Sequence, residues 1–214
     1  MLTTKDLTQP DIQQKENYEQ ALKLGLEAFA RKAPEQLVAK AGARFEDRKV
    51  IVPYLDKEII LEIDSHRFVM SPEGEEAPIW LAILTVHYLN NATGSIPSGK
   101  LKHFREFKEG AFYEPAFNSR TKDVLISIFG KNPTPMVQAG QKLNGKALDQ
   151  GDASVELHYF PNVPITCIMW AGDDEFPPEA AVLFDETVDQ YLCAEDMAVA
   201  GQMTVLELLK ASRG

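Results

Sequence analysis

Basic residues, cysteines and long apolar runs are all scarce in this chain of 214 residues. Lysine and arginine number 22 against 32 aspartates and glutamates, a formal net charge of -10. Such a surface repels phosphate backbones and anionic lipid, so neither nucleic acid nor a membrane surface is expected as a partner. The one basic cluster, Lys100, Lys102, His103, Arg105 and Lys108, is interrupted by Glu106 and Glu109, and reads either as an anion site or as a solvated face. The two cysteines, Cys167 and Cys193, stand outside any spacing that builds a zinc or iron–sulfur site, and two buried, reduced thiols are expected. The longest apolar run, Ile79 to Leu89, carries His87 and falls short of the roughly 20 residues a bilayer span needs. Met1 to Glu19 is polar with charges of both signs and lacks the apolar core of a signal peptide, so a cytoplasmic location is expected.

Familiar catalytic signatures are missing too. There is no GxGxxG or Walker-type phosphate loop, no GxSxG elbow, no HExxH and no EF-hand loop. No motif names a cofactor.

What is present is the patterning of an α+β protein, with a mixed or mainly antiparallel sheet packed with helices. The length suits a single domain over residues 1–214, with 1–14 as a flexible N-terminal arm. Tyr18, Leu22, Gly25, Leu26 and Phe29 recur at helical spacing over Lys15 to Lys32, and a turn or two follows from Glu35 to Gly42. Four short Val/Ile/Phe-rich segments between Ala43 and Met70 predict an antiparallel meander. A largely apolar helix is predicted over Glu76 to Asn91. A strand is expected from Leu101 to Phe107, and helices from Pro115 to Phe129 and from Thr134 to Leu143. Ala153 to Phe160 and Val163 to Ala171, joined by Pro161-Asn162, predict a hairpin. Pro177-Pro178-Glu179 is read as opening a helical or irregular segment through Phe184, and Ala194 to Lys210 as the closing helix.

Chemistry concentrates in Trp170-Ala-Gly-Asp-Asp-Glu-Phe-Pro-Pro178, where Asp173, Asp174 and Glu175 follow a buried strand. With Asp185 these carboxylates suit a divalent cation such as Mg²⁺ or Ca²⁺, or a cationic ligand. Alternatively Asp174 or Glu175 caps a helix starting at Pro177 while the others face water. His87 and Tyr88 are further ligand candidates, although a histidine on an apolar helix face also serves as a satisfied core residue. Asp152 and His158 are too far apart along a regular strand for a direct dyad. Phe104, Phe107, Phe112, Tyr113 and Phe117 surround Arg105, either as a stacking site for a flat acid-bearing ligand or as core.

Leu84-Thr-Val-His-Tyr-Leu89, Gly151-Asp152, Phe160-Pro161, and Trp170 to Pro177 with Leu183-Phe-Asp185 together resemble a family of anaerobic bacteria and archaea known as a domain of unknown function. The resemblance runs from about Tyr18 to Asp196. Some relatives join this domain to a cysteine-rich iron–sulfur segment, which implies work beside anaerobic redox or corrinoid enzymes; this chain has no such segment. Three functions follow as expectations. The first is a binding or accessory domain, for a protein partner or small molecule, built around Trp170, Asp173, Asp174, Glu175, His87 and Tyr88. The second is an enzyme with a divalent cation held by Asp173, Asp174, Glu175 or Asp185, and with His87 or His158 as acid–base partner. The third is an assembly subunit, for which an exposed apolar patch on the first or last helix is the sign.

Overall fold

The computed structural model describes residues 12–214, and the chain is of the α+β class, with two sheets that are each wholly antiparallel. The contacts divide it into two compact units. One runs through Ile96 and includes Gln190–Leu192; the other comprises Pro97–Asp189 and Cys193–Gly214. Most of the expected N-terminal arm lies outside the described residues, while Ile12, Gln13 and Gln14 already belong to the first helix.

In the first unit, α1 (Ile12–Ala30) and α2 (Pro34–Ala41) precede a meander of β1 (Arg44–Glu46), β2 (Lys49–Tyr54), β3 (Lys57–Glu62) and β4 (Arg67–Ser71), in that spatial order. Gly42 ends α2 in the left-handed region, at φ 63°. Asp47 and Arg48, both at positive φ, form the two-residue loop that joins β1 to β2 with the twist a hairpin requires. Alternation puts Val50, Leu61 and Phe68 in register on the buried face, beside Val52 paired with Ile59. The helix α3 (Ile79–Asn91) starts after Pro78, three residues later than expected, and buries most of its circumference. Gly25 is where α1 meets it. A Cβ there would stand 2.5 Å from Val86 Cγ1, and the Asn90 side chain donates to the Gly25 carbonyl at 2.8 Å.

The second unit contains β5 (Leu101–His103), a 3-10 turn (Phe104–Glu106), α4 (Gly110–Arg120), α5 (Lys122–Phe129) and α6 (Thr134–Lys142). It continues with β6 (Lys146–Leu148), β7 (Ala153–Phe160), β8 (Val163–Trp170), β9 (Glu179–Asp185) and α7 (Ala194–Arg213). The sheet order is β5-β9-β8-β7-β6. Its core is centred on Phe184, whose ring lies 5.9–6.3 Å from those of Phe104, Phe107 and Phe117. Gly201 lets α7 lie against Phe117 and Phe184.

Four local expectations are corrected. The segment after Pro177-Pro178 is a strand, because Ala180, Val182 and Phe184 alternate into the core and β8 takes them as its ladder partners. The two prolines mark an extended exit rather than a helix start. The helix expected from Pro115 begins at Gly110 and breaks at Thr121, whose buried hydroxyl donates to the Phe117 carbonyl at 2.7 Å. The strand expected to reach Phe107 stops at His103. Finally, Cys193 is exposed; only Cys167 is buried.

The packing at Gly25 has a distinctive consequence. A Gly→Ala change in an open helix stabilises by about 1 kcal/mol, whereas the contact with Val86 makes Gly25→Ala overpacked and destabilising by about 1–3 kcal/mol. Urea unfolding measures the sign. In a double-mutant cycle, Val86→Ala costs less in the Gly25→Ala background than alone.

Candidate functional site

The candidate residues fall in both units. In the first, Tyr88 is wholly buried, its hydroxyl donating to the Ala41 carbonyl at 2.6 Å and its ring stacked on Tyr191 at 5.4 Å. It is a core residue. His87, one position earlier on α3, is half-buried.

Trp170, Asp173, Asp174 and Glu175 belong to the second unit, where they line two different depressions. The acidic turn borders a shallow one of about 330 Å³, with Gly130, Lys131 and Pro178 among its walls. The turn folds on itself. The Asp173 amide donates to the Phe176 carbonyl at 2.9 Å, and its carboxylate accepts the Glu175 and Phe176 amides at 2.8 and 2.7 Å. These backbone bonds hold the Asp173 carboxyl below its ordinary pKa. Asp174 and Glu175 face water. Because a strand follows, neither caps a helix.

Asp185 stands at the other end of β9, about 20 Å from the turn at the usual rise of a strand. It is 1% exposed. Its carboxylate accepts the amides of Ser98, Gly99 and Thr187 at 3.1, 2.6 and 3.0 Å and the Thr187 hydroxyl at 2.7 Å. Burial alone would raise its pKa, but the bonds from Thr187, Ser98 and Gly99 outweigh it and leave the group below the ordinary value. Among the described residues, no group of three or more histidine, cysteine, aspartate or glutamate side chains is placed to hold a metal ion.

The second depression, of about 270 Å³, is the more enclosed of the two. The 3-10 turn and α4 contribute Phe104, Arg105, Glu114, Phe117 and Asn118; β9 contributes Glu179 to Val182. Trp170 lines it as well. The other seven residues of β8 are buried, yet the Trp170 indole is 43% exposed. Gly151 and Asp152 hold it there. The Asp152 carboxylate accepts the Ala171 amide at 2.7 Å, its own amide donates to the Met169 carbonyl, and a Cβ on Gly151 would lie 3.3 Å from the indole. The charges around the rim are already paired, Lys122 with Glu179 at 2.7 Å and Arg105 with Glu114 at 3.9 Å.

The aromatic cluster divides. Phe104, Phe107 and Phe117 are core, while Phe112 and Tyr113 are exposed and touch edge to face at 5.1 Å. The basic cluster is largely neutralised by Glu186, which meets Lys100 at 2.9 Å and Lys102 at 3.7 Å. His158 is exposed and bonds the Pro161 carbonyl, so it forms no pair with Asp152, which serves the end of β8. The Cys167 thiol is pushed up to about 12 by burial. Although the Cys193 residue is exposed as a whole, partial burial of its thiol beside Asp196, together with that carboxylate's negative charge, pushes it to about 11.

The chain belongs to the family described as a domain of unknown function, DUF3786, whose model matches residues 33–207. No curated protein matches it, and no solved structure does. No helix of the described residues is long and apolar enough to cross a membrane.

Asp185→Asn tests the buried hub. A depressed carboxylate contributes stability in full above its unfolded pKa of about 3.9 and loses it as the pH falls through the lower folded value. The variant is therefore expected to be about 2–3 kcal/mol less stable at pH 7, with the difference shrinking in acid. Urea unfolding between pH 7 and about pH 2 measures both.

Proposed function

We propose that this chain is a noncatalytic binding or accessory domain, whose binding site is the depression beside Trp170, serving the anaerobic redox or corrinoid metabolism that the family resemblance implies. The observation that carries the reading is the half-exposed indole, held at the end of an otherwise buried strand and facing a cavity. A large aromatic left open at such a position gains from being covered by a ligand. The paired charges on the rim and the self-contained acidic turn support binding over acid–base chemistry, since the ionisable side chains there are already engaged in ion pairs or in backbone hydrogen bonds. Assembly through the terminal helices is less favoured. Among the described residues, α1 exposes only Leu24 of its large apolar side chains, and α7 exposes none.

The reading is tested by a thermal-shift screen of nucleotides, flavins and corrinoids, alongside affinity purification under anaerobic conditions. A ligand that binds only the folded state raises the melting temperature. The expected outcome is a stabilising ligand, or a co-purifying redox or corrinoid enzyme, that is lost with Trp170→Ala. If everything bound by the wild type is retained by Trp170→Ala, the site lies elsewhere.

A further inference from the structure

β9 is only half covered. On one side β8 pairs with it along Glu179 to Phe184, but on the other β5 meets only Leu183, Phe184 and Asp185. The register shows what is missing. With Leu101 opposite Asp185 and His103 opposite Leu183, a strand continuing to Phe107 would have paired Phe104 to Phe107 with Val182 to Glu179. The chain turns away at Phe104 instead. Glu106 accepts the His103 amide at 2.6 Å, and the rings of Phe104 and Phe107 go down onto Phe184.

The unpaired edge can be assigned atom by atom. In an antiparallel ladder each residue directs its amide and carbonyl to one side, and successive residues alternate. The Glu186 amide donates to the Lys100 carbonyl at 2.9 Å, so the even-numbered residues of this strand address the β5 side. Phe184 finds Lys102 there. Among the described residues Val182 and Ala180 find no strand there; each is only 5% exposed, and with Trp170 they line the same cavity.

An open edge of this kind is a template for another strand. We propose, on the basis that the Trp170 depression is the binding site, that its occupant is an extended, uncharged segment of a partner protein that adds to β9 as a short strand and lays an apolar side chain on Trp170. The uncharged character follows from the rim, where Arg105 and Lys122 already have carboxylate partners, leaving the half-exposed Trp170 side chain as the apolar surface to be covered. Ala181, between Glu179 and Leu183 on the indole's side of the sheet, is small enough to leave the ring within reach of an added strand. A second copy of this chain would have to bring the edge of a folded sheet into a four-residue slot walled by the 3-10 turn and α4, where a single extended segment fits.

The test begins with a random peptide library displayed on phage, panned against the full chain, and continues with synthetic versions of the enriched peptides. Val182→Pro removes one edge-facing amide and leaves the β8 ladder intact. Strand addition requires it to weaken peptide binding at least about tenfold, as the loss of a hydrogen bond does. Trp170→Ala weakens it as well, and Phe112→Ala leaves it unchanged. Should Val182→Pro fail to fold, N-methylation of the peptide gives the same information. Methylation at alternate residues abolishes binding, and at the residues between them it is tolerated. Peptides that bind Val182→Pro as they bind the wild type, or tolerate methylation everywhere, overturn strand addition but leave the Trp170 site standing. Enrichment of no peptide that depends on Trp170 overturns it too, and the small-molecule screen then judges the site separately. A concentration-dependent dimer that Val182→Pro dissolves would put a second copy in the slot and overturn the partner segment.

Discussion

A carboxylate withdrawn from water is tolerated only where donors replace the solvent, and Asp185 draws its donors from both flanks of the β5–β9 pair. Ser98 and Gly99 lie just before β5, and Thr187 lies just after β9. The side chain thereby ties the entry of one strand to the exit of the other and sets Leu101 opposite itself. From that pairing the rest of the ladder follows. It fixes His103 opposite Leu183, and with it the point at which the aromatic side chains of the 3-10 turn draw the chain off β9. The open edge is a consequence of where a buried charge is anchored and of where two phenylalanines find their core.

The position of Trp170 depends on a second set of backbone bonds. A hairpin strand as completely buried as β8 must satisfy its last amide and carbonyl as it leaves the sheet, and Gly151-Asp152 does this from the neighbouring connection. The same contact keeps the indole beside the cavity. The acidic turn that follows is stiffened by Asp173, so the chain re-enters as β9 within a few residues. Trp170, the turn and β9 are in this sense one structural feature. The carboxylates shape its path, while the Trp170 side chain stays half-exposed beside it.

Much of this was legible in the alternation of side chains. The meander, the β7–β8 hairpin and the central helix each follow from runs whose period of 2 or 3.6 is unbroken, such as Val155, Leu157 and Tyr159 or the apolar circumference of α3. What escaped was decided by tertiary partners. Ala180-Ala-Val-Leu-Phe184 has no local signal that separates strand from helix, and it becomes a strand because β8 offers an edge. Lys146 to Leu148 is too short to show a period and is ordered by β7. Phe104 to Phe107 looked extended by composition but is bent by the attraction of Phe184. Of the candidate site, Trp170 was legible as an unusual residue at a strand end, whereas the edge at Ala180 and Val182 was invisible because a missing pairing leaves no mark on the sequence. The four carboxylates looked like one set because they are close in the chain. A strand between them separates Asp185 from the others.

The openness of that edge can be read directly from amide hydrogen exchange, which reports whether each N–H is held in a stable bond. Ala181, Leu183 and Phe184 have ladder partners and are expected to be protected, while Ala180 and Val182 exchange faster by orders of magnitude in the free protein. Equal protection at Ala180, Ala181, Val182 and Leu183 would mean that the edge is already filled, and would contradict the account.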